Sequence, residues 1–214
     1  MKKSRYISFI TSICLLLLLG CSRNEQPISK SGMYFDTIIT ITVYHSEDEP
    51  LLDKCFSMAE YYENLFSKTI ETSDIYQINH SQGTPTEVHE ETFYLLEKAL
   101  DYAAMTEGAI DPTILPLSDL WNFGENETVP KEEDIAFSLS QVGYENVILD
   151  SFSNTVTLKK ENMGIDLGFI AKGYIADKMK EYLISEGVES ALINLGGNVL
   201  TIGNKPDGSA YTLG

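Results

Sequence analysis

Positive charge is scarce in this chain: 15 Lys and Arg stand against 32 Asp and Glu, leaving a formal net charge of -17 over 214 residues. That balance argues against a nucleic-acid partner and against electrostatic adhesion to anionic lipid, since both need a basic surface. An anionic small substrate would need local basic groups or a metal ion to hold it. Cysteine is rarer still, with 3 in the chain, two of them near the N-terminus at Cys14 and Cys21. No disulfide framework follows from that number. Cys55 falls at helical spacing among apolar residues and reads as a small core residue rather than a reactive thiol. The 3 histidines, His45, His80 and His89, are scattered without ligand spacing, so no zinc site is expected. What remains is ample for a core. With 43% hydrophobic and 10% aromatic residues, global disorder is excluded, and the length allows one sizeable domain or two small ones.

Residues 1–20 read as a targeting segment. Lys2, Lys3 and Arg5 form a basic start, and Ile13 to Leu19 form an apolar run too short for a membrane span. Leu18-Leu19-Gly20-Cys21 resembles the lipobox of bacterial lipoproteins, in which the cysteine is acylated and becomes the mature N-terminus. The alternative is an ordinary secretory signal with an incidental cysteine. On the lipobox reading Cys21 is the lipidation site, residues 21–31 are a polar tether, and residues 32–214 are the folded domain. The protein is then lipid-anchored to the cell membrane on its extracytoplasmic side.

Along that domain the hydrophobic period changes repeatedly. Thr37 to Tyr44 alternates apolar and β-branched residues at period two, a strand. From about Glu49 to Ser67, Leu51, Cys55, Ala59, Tyr62 and Phe66 make one helical stripe. A polar, punctuated segment follows, in which Ser73-Asp74 can cap a short helix. A second long helix is expected from about Glu90 to Thr106, stopped by Glu107-Gly108. The next stretch, AIDPTILPLSDLWNFG, cannot continue a helix through Pro112 and Pro116; it reads as a pocket wall or a connecting loop. A third helix is expected from Pro130 to about Leu139, then a hairpin of Val147 to Asp150 with Thr155 to Lys159. Ala191 to Leu195 and Val199 to Ile202 read as strands.

The chain is organised around Met163 to Asp177, MGIDLGFIAKGYIAD, which reads as a strand end, a tight turn and a helix running to about Ser185. Exposed N–H groups at such a helix start suit a phosphate, Lys172 can neutralise it, and free carbonyls nearby can face a cation. The plainer reading is an N-capping Asp166, a solvated Lys172, and glycines that only let a strand pack on a helix.

Several stretches together resemble the ApbE family of bacterial flavin transferases. These are IDLGFIAKGYIAD from Ile165, GAIDPTILPLSDLW from Gly108, SDIYQIN from Ser73, INLGGNV from Ile193, GNKPDG from Gly203 and FDTIITITVY from Phe35. They fall in the family's order. The resemblance implies an α/β (α+β) domain, a mixed sheet with packed helices. It also implies Mg2+-dependent cleavage of FAD as substrate, with transfer of FMN to a threonine or serine hydroxyl of an acceptor flavoprotein in a membrane redox complex. Some members instead hydrolyse FAD to FMN and AMP. Carried over residue by residue, Asp166 and Lys172 match FAD-contacting positions, as do Ala109, Ile110 and Asp111, with Ile110 in place of the usual phenylalanine. Phe35 stands where the family often has methionine, and Thr69 where some members place a tyrosine over the flavin. Phe169 matches the position that offers a main-chain carbonyl to the metal. Asp111 and Asp166 are expected to line one cleft. The resemblance places further side-chain metal ligands and a catalytic histidine beyond residue 214. The chain therefore reads as truncated, its catalytic residues as unknown, and its activity in this form as weak flavin binding at most. A non-catalytic flavin-binding lipoprotein is the alternative from another class.

Overall fold

The computed structural model describes residues 26–121 and 128–212. Cys21, the targeting segment and the first residues of the expected tether lie outside them. The tether's last residues are not a tether. Ile28–Tyr34 forms strand β1, which pairs antiparallel along its whole length with β2, Thr37–Val43. Its polar composition hid it, because β1 is an edge strand and most of its residues are exposed. Across that ladder Ser29 and Ser31 hydrogen-bond Thr42 and Thr40 through their hydroxyls, each at 2.8 Å.

In β2 the period-two pattern does what it predicts. Ile39, Ile41 and Val43 are fully buried, and the residues between them are not. The far side of β2 pairs with β6 (Ala191–Leu195), which pairs in turn with β7 (Asn198–Ile202). A smaller sheet runs β3 (Thr86–Glu87), β5 (Thr155–Leu158), β4 (Val147–Asp150). Both sheets are antiparallel, and parallel pairing among the described residues is confined to a bridge between Ile114 and Gly164. The α/β class with packed helices holds, its strands divided between two sheets.

Six helices are seen among the described residues: α1 (Leu51–Phe66), α2 (Asp74–Asn79), α3 (Glu90–Met105), α4 (Leu115–Trp121), α5 (Glu132–Gln141) and α6 (Ala171–Ser185). The expected third helix is thus displaced by two residues, with Lys131 at its N-cap. Helix α4 forms where two prolines were expected to prevent a helix. Pro116 sits in its first turn, where the missing N–H would have had no partner anyway. Helices α1 and α6 pack together, α1 also meeting β1 and α6 meeting β6 and β7. One contiguous core results, holding Cys55, Ala59 and Leu65 of α1 with Ile175, Met179 and Leu183 of α6.

Two hairpin tips end side by side at one end of the larger sheet. Phe35-Asp36 joins β1 to β2 and Gly196-Gly197 joins β6 to β7, all four residues with positive φ. That is the two-residue turn whose twist matches paired strands. A side chain at Gly196 would place its Cβ 2.3 Å from Thr37 Oγ1, so only glycine lets the tips approach. Helix α6 starts beside them, with Gly173 facing Asn198.

Candidate functional site

Three segments distant in sequence converge at that end: the Phe35-Asp36 tip, the loop after α1, and the turn before α6. They wall a cleft of about 250 Å3. Phe35, Thr69 and Asp166, singled out in separate stretches of the sequence, all line it.

Phe35 holds φ at 54°, a left-handed conformation that a bulky residue rarely adopts. Its N–H donates to Glu63 Oε1 at 2.6 Å, fixing the tip to the last turn of α1. Residual strain of this kind collects where geometry serves a ligand. The loop after α1 is tied just as firmly. Ser67 Oγ accepts from the N–H groups of Thr69 and Ile70 at 3.1 and 3.2 Å, and the Ser67 carbonyl accepts from the Ser73 hydroxyl. Lys68 and Thr69 are therefore presented on a set backbone.

Asp166 closes the turn before α6, its Oδ1 accepting from Gly168 N–H at 2.8 Å while its own N–H donates to the Pro112 carbonyl at 2.8 Å. Asn79, the last residue of α2, clamps the same turn: its Nδ2 donates to the Ile165 carbonyl at 2.9 Å and its Oδ1 accepts from Ile165 N–H at 2.7 Å. Asp166 Oδ2 lies 3.4 Å from the Lys68 ammonium, which donates to Asp119 Oδ1 on α4 at 2.7 Å. Burial pulls the Lys68 ammonium toward losing its proton. The Asp119 hydrogen bond and the Asp166 charge outweigh that and hold its pKa above the ordinary lysine value. Sequence reading missed Lys68 and Asn79. The one signal for each was position, Lys68 next to Thr69 and Asn79 at the end of SDIYQIN.

Asp111 departs from its expectation. Its backbone does adjoin that of Asp166, through the Pro112 hydrogen bond and the Ile114–Gly164 bridge. Its carboxylate, however, ties down its own turn. Oδ1 accepts from Thr113 N–H at 2.8 Å and Thr113 Oγ1 at 2.7 Å, and Oδ2 accepts from Tyr144 N–H at 3.0 Å. Asp111 thus shapes the pocket wall through the backbone, and the joint carboxylate cleft expected with Asp166 is not formed by these contacts. Ala109 is exposed just beyond the end of α3. Ile110 and Phe169 line a second groove, of about 450 Å3, between α3 and α6, together with Tyr94, Tyr102 and Tyr174.

Residues 166–174 contribute to both cavities, Asp166, Leu167, Gly168 and Ala171 to the cleft and Phe169, Ile170, Gly173 and Tyr174 to the groove, while Lys172 lines neither. Among the described residues Lys172 has no ion pair, so its charge is available to a ligand. Helix α6 carries no side-chain cap at Ile170; its first amide, Ala171 N–H, donates to the Leu167 carbonyl at 2.8 Å, which leaves the amides of Lys172 and Gly173 to meet an anion. Among the described residues no group of three or more His, Cys, Asp or Glu side chains could by itself cage a metal ion. That is compatible with Mg2+, which keeps water and takes oxygens from substrate phosphates rather than requiring an all-protein cage. Asp166 lines the cleft, and Phe169, whose carbonyl the resemblance offers to a metal, lines the groove on the other side.

Solved structures place the fold in one class. The chain superposes with a TM-score of 0.79 on a flavin transferase ApbE from Vibrio cholerae, at 25% identity over 87% of this chain and 62% of that one. An ApbE protein from Thermotoga maritima gives 0.78 at 32% identity, covering 86% of this chain and 61% of the other. The ApbE family model matches residues 35–214, and the chain belongs to that family. A curated relative from Klebsiella pneumoniae, named FAD:protein FMN transferase, is 38% identical over 182 residues, 84% of this chain and 57% of its own length. One of the same name from Treponema pallidum is 28% identical over 207 residues, 90% of this chain and again 57% of its own. The chain thus spans a little over half the length of these relatives.

Proposed function

We propose that this protein is an FAD:protein FMN transferase, and that the residues described here bind its FAD donor. The observation that carries the reading is the convergence of Phe35, Thr69 and Asp166 on one cleft beside the uncapped start of α6, in a chain of this family. FAD brings a pyrophosphate and a flat ring system, and the site offers both kinds of partner. Lys68, Lys172 and the amides of Lys172 and Gly173 can meet the phosphates, and the aromatic side chains of the cleft and groove can meet a ring. Bound Mg2+ would supply positive charge against the phosphate oxygens, which a chain of net charge -17 otherwise lacks. The acceptor is a threonine or serine hydroxyl of a flavoprotein outside the cytoplasm, and the protein is held at the membrane by lipid on Cys21. Among the described residues no helix is long and apolar enough to cross a membrane.

The test uses the protein as its host makes it, incubated with FAD, Mg2+ and an extracytoplasmic flavoprotein. In-gel flavin fluorescence of the acceptor is the expected result. Free FMN and AMP with an unlabelled acceptor would make the protein an FAD pyrophosphatase instead. Unchanged FAD would leave only flavin binding.

A further inference from the structure

Among the described side chains that line the cleft, Asp36, Glu63 and Asp166 are acidic and Lys68 alone is basic. A pyrophosphate cannot enter such a lining without meeting a cation. We propose that Lys68 receives the phosphate groups of the donor nucleotide and that Asp119 positions it to do so. This rests on the flavin-transferase reading above.

The geometry prepares Lys68 for that contact. An ammonium has three donors, and here one goes to Asp119 at 2.7 Å and a second toward Asp166 at 3.4 Å. The third has no partner among the described residues and is left for a ligand. The Asp166 contact is at the limit of a hydrogen bond, so a phosphate oxygen can take its place with little loss. Asp166 would then keep its Gly168 hydrogen bond through Oδ1 and leave Oδ2, which can only accept, for a donor group of the ligand such as a hydroxyl. Asp119 is different in kind, since its short contact comes from α4, across the cleft loop, and fixes where the ammonium stands. The Ser67 turn fixes the other end of the same side chain. A lysine whose backbone and ammonium are both held in advance loses little freedom on binding. Lys172, by contrast, extends from α6 with no described partner, so the two lysines would approach the donor from different elements.

Equilibrium binding of FAD, riboflavin and inorganic pyrophosphate to the full chain tests this, with the fold of each variant checked by circular dichroism. Lys68→Met should weaken FAD and pyrophosphate roughly ten- to a hundredfold and leave riboflavin unchanged. Lys68→Arg should restore most of that affinity. Asp119→Asn should give a smaller loss, again confined to the ligands that carry phosphate, which damage to the cleft in general would not do. Lys68→Met binding FAD as tightly as the unaltered protein would overturn the proposal and leave the flavin reading standing. Equal losses for riboflavin and FAD would also overturn it. Lys68-dependent binding of pyrophosphate without any binding of FAD would keep the phosphate assignment and remove the flavin reading.

Discussion

Cys55 shows how far burial alone can silence a reactive group. It is fully buried in α1, and burial pushes its thiol up to about 12 from an ordinary 9.0. Below about pH 9 the thiol is protonated whether or not the chain is folded. As pH rises from there through about 12, the unfolded chain gives up its proton first, so the stability that depends on this thiol is lost in that window. We expect iodoacetamide at pH 8.5 to label the Cys55 peptide only on unfolding, at a rate set by denaturant. Labelling of the native protein, read by mass spectrometry, would contradict its burial. Lys172 lies at the opposite extreme, partly exposed and without an ion pair among the described residues. Lys172→Ala should weaken FAD binding by about 1.5–3 kcal/mol, the typical value of a charged hydrogen bond, without lowering the denaturation midpoint. A stability loss with unchanged binding would return Lys172 to an ordinary helical lysine. Phe35 and Asp166 stood out in the sequence because each sits in a motif of its own, and Thr69 by its position ahead of SDIYQIN; the fold brings the three to one cleft. Lys68 and Asn79 did not stand out. Their roles come from partners 51 and 86 positions away, and no local pattern encodes a contact of that kind.

Helices α2 and α3 are joined by one buried carboxylate. Asp74, at the start of α2, accepts from His89 N–H at 2.9 Å, from the His89 ring at 3.0 Å, and from the Thr92 hydroxyl at 2.5 Å. It thereby serves as the cap that α3 lacks from its own N-cap residue. Asp74→Ala should cost about 1–3 kcal/mol, since it strands the buried Thr92 hydroxyl and leaves the part-buried His89 N–H at the start of α3 without its acceptor, measured by urea denaturation. A change under about 0.5 kcal/mol, the scale of an ordinary surface substitution, would show that α3 is capped by other means. The clamp of α2 on Ile165 means that this loss should also loosen the turn before α6. Elements with one buried face were the legible ones: β2, α1, α3 and α6 all carry their apolar period openly. Strand β1 was not, because an exposed edge strand needs no apolar alternation. Helix α4 was not, because a first-turn proline reads as a breaker until the helix start is known. The apolar spacing of α3 points to a buried stripe of Phe93, Leu96, Leu100 and Ala103, and the structure shifts it: Leu95 and Ala99 are buried with Leu96 and Ala103, while Phe93 and Leu100 are only half-buried.

The assembled domain sets a lysine among carboxylates and aromatic rings at one site of a strongly acidic chain. Antiparallel pairing brings both hairpin tips to one end of the larger sheet, α6 begins there, and the loop after α1 closes the side. A ligand held at this place must touch segments that are far apart in sequence and otherwise independent. Hydrogen–deuterium exchange with and without saturating FAD, Mg2+ being present in both, reads that requirement directly. We expect slower exchange in three stretches together, 33–38, 66–70 and 165–174, and no change in the smaller sheet of β3, β4 and β5. Protection confined to the smaller sheet, or no protection at saturating FAD, would contradict the placement of the donor in this cleft.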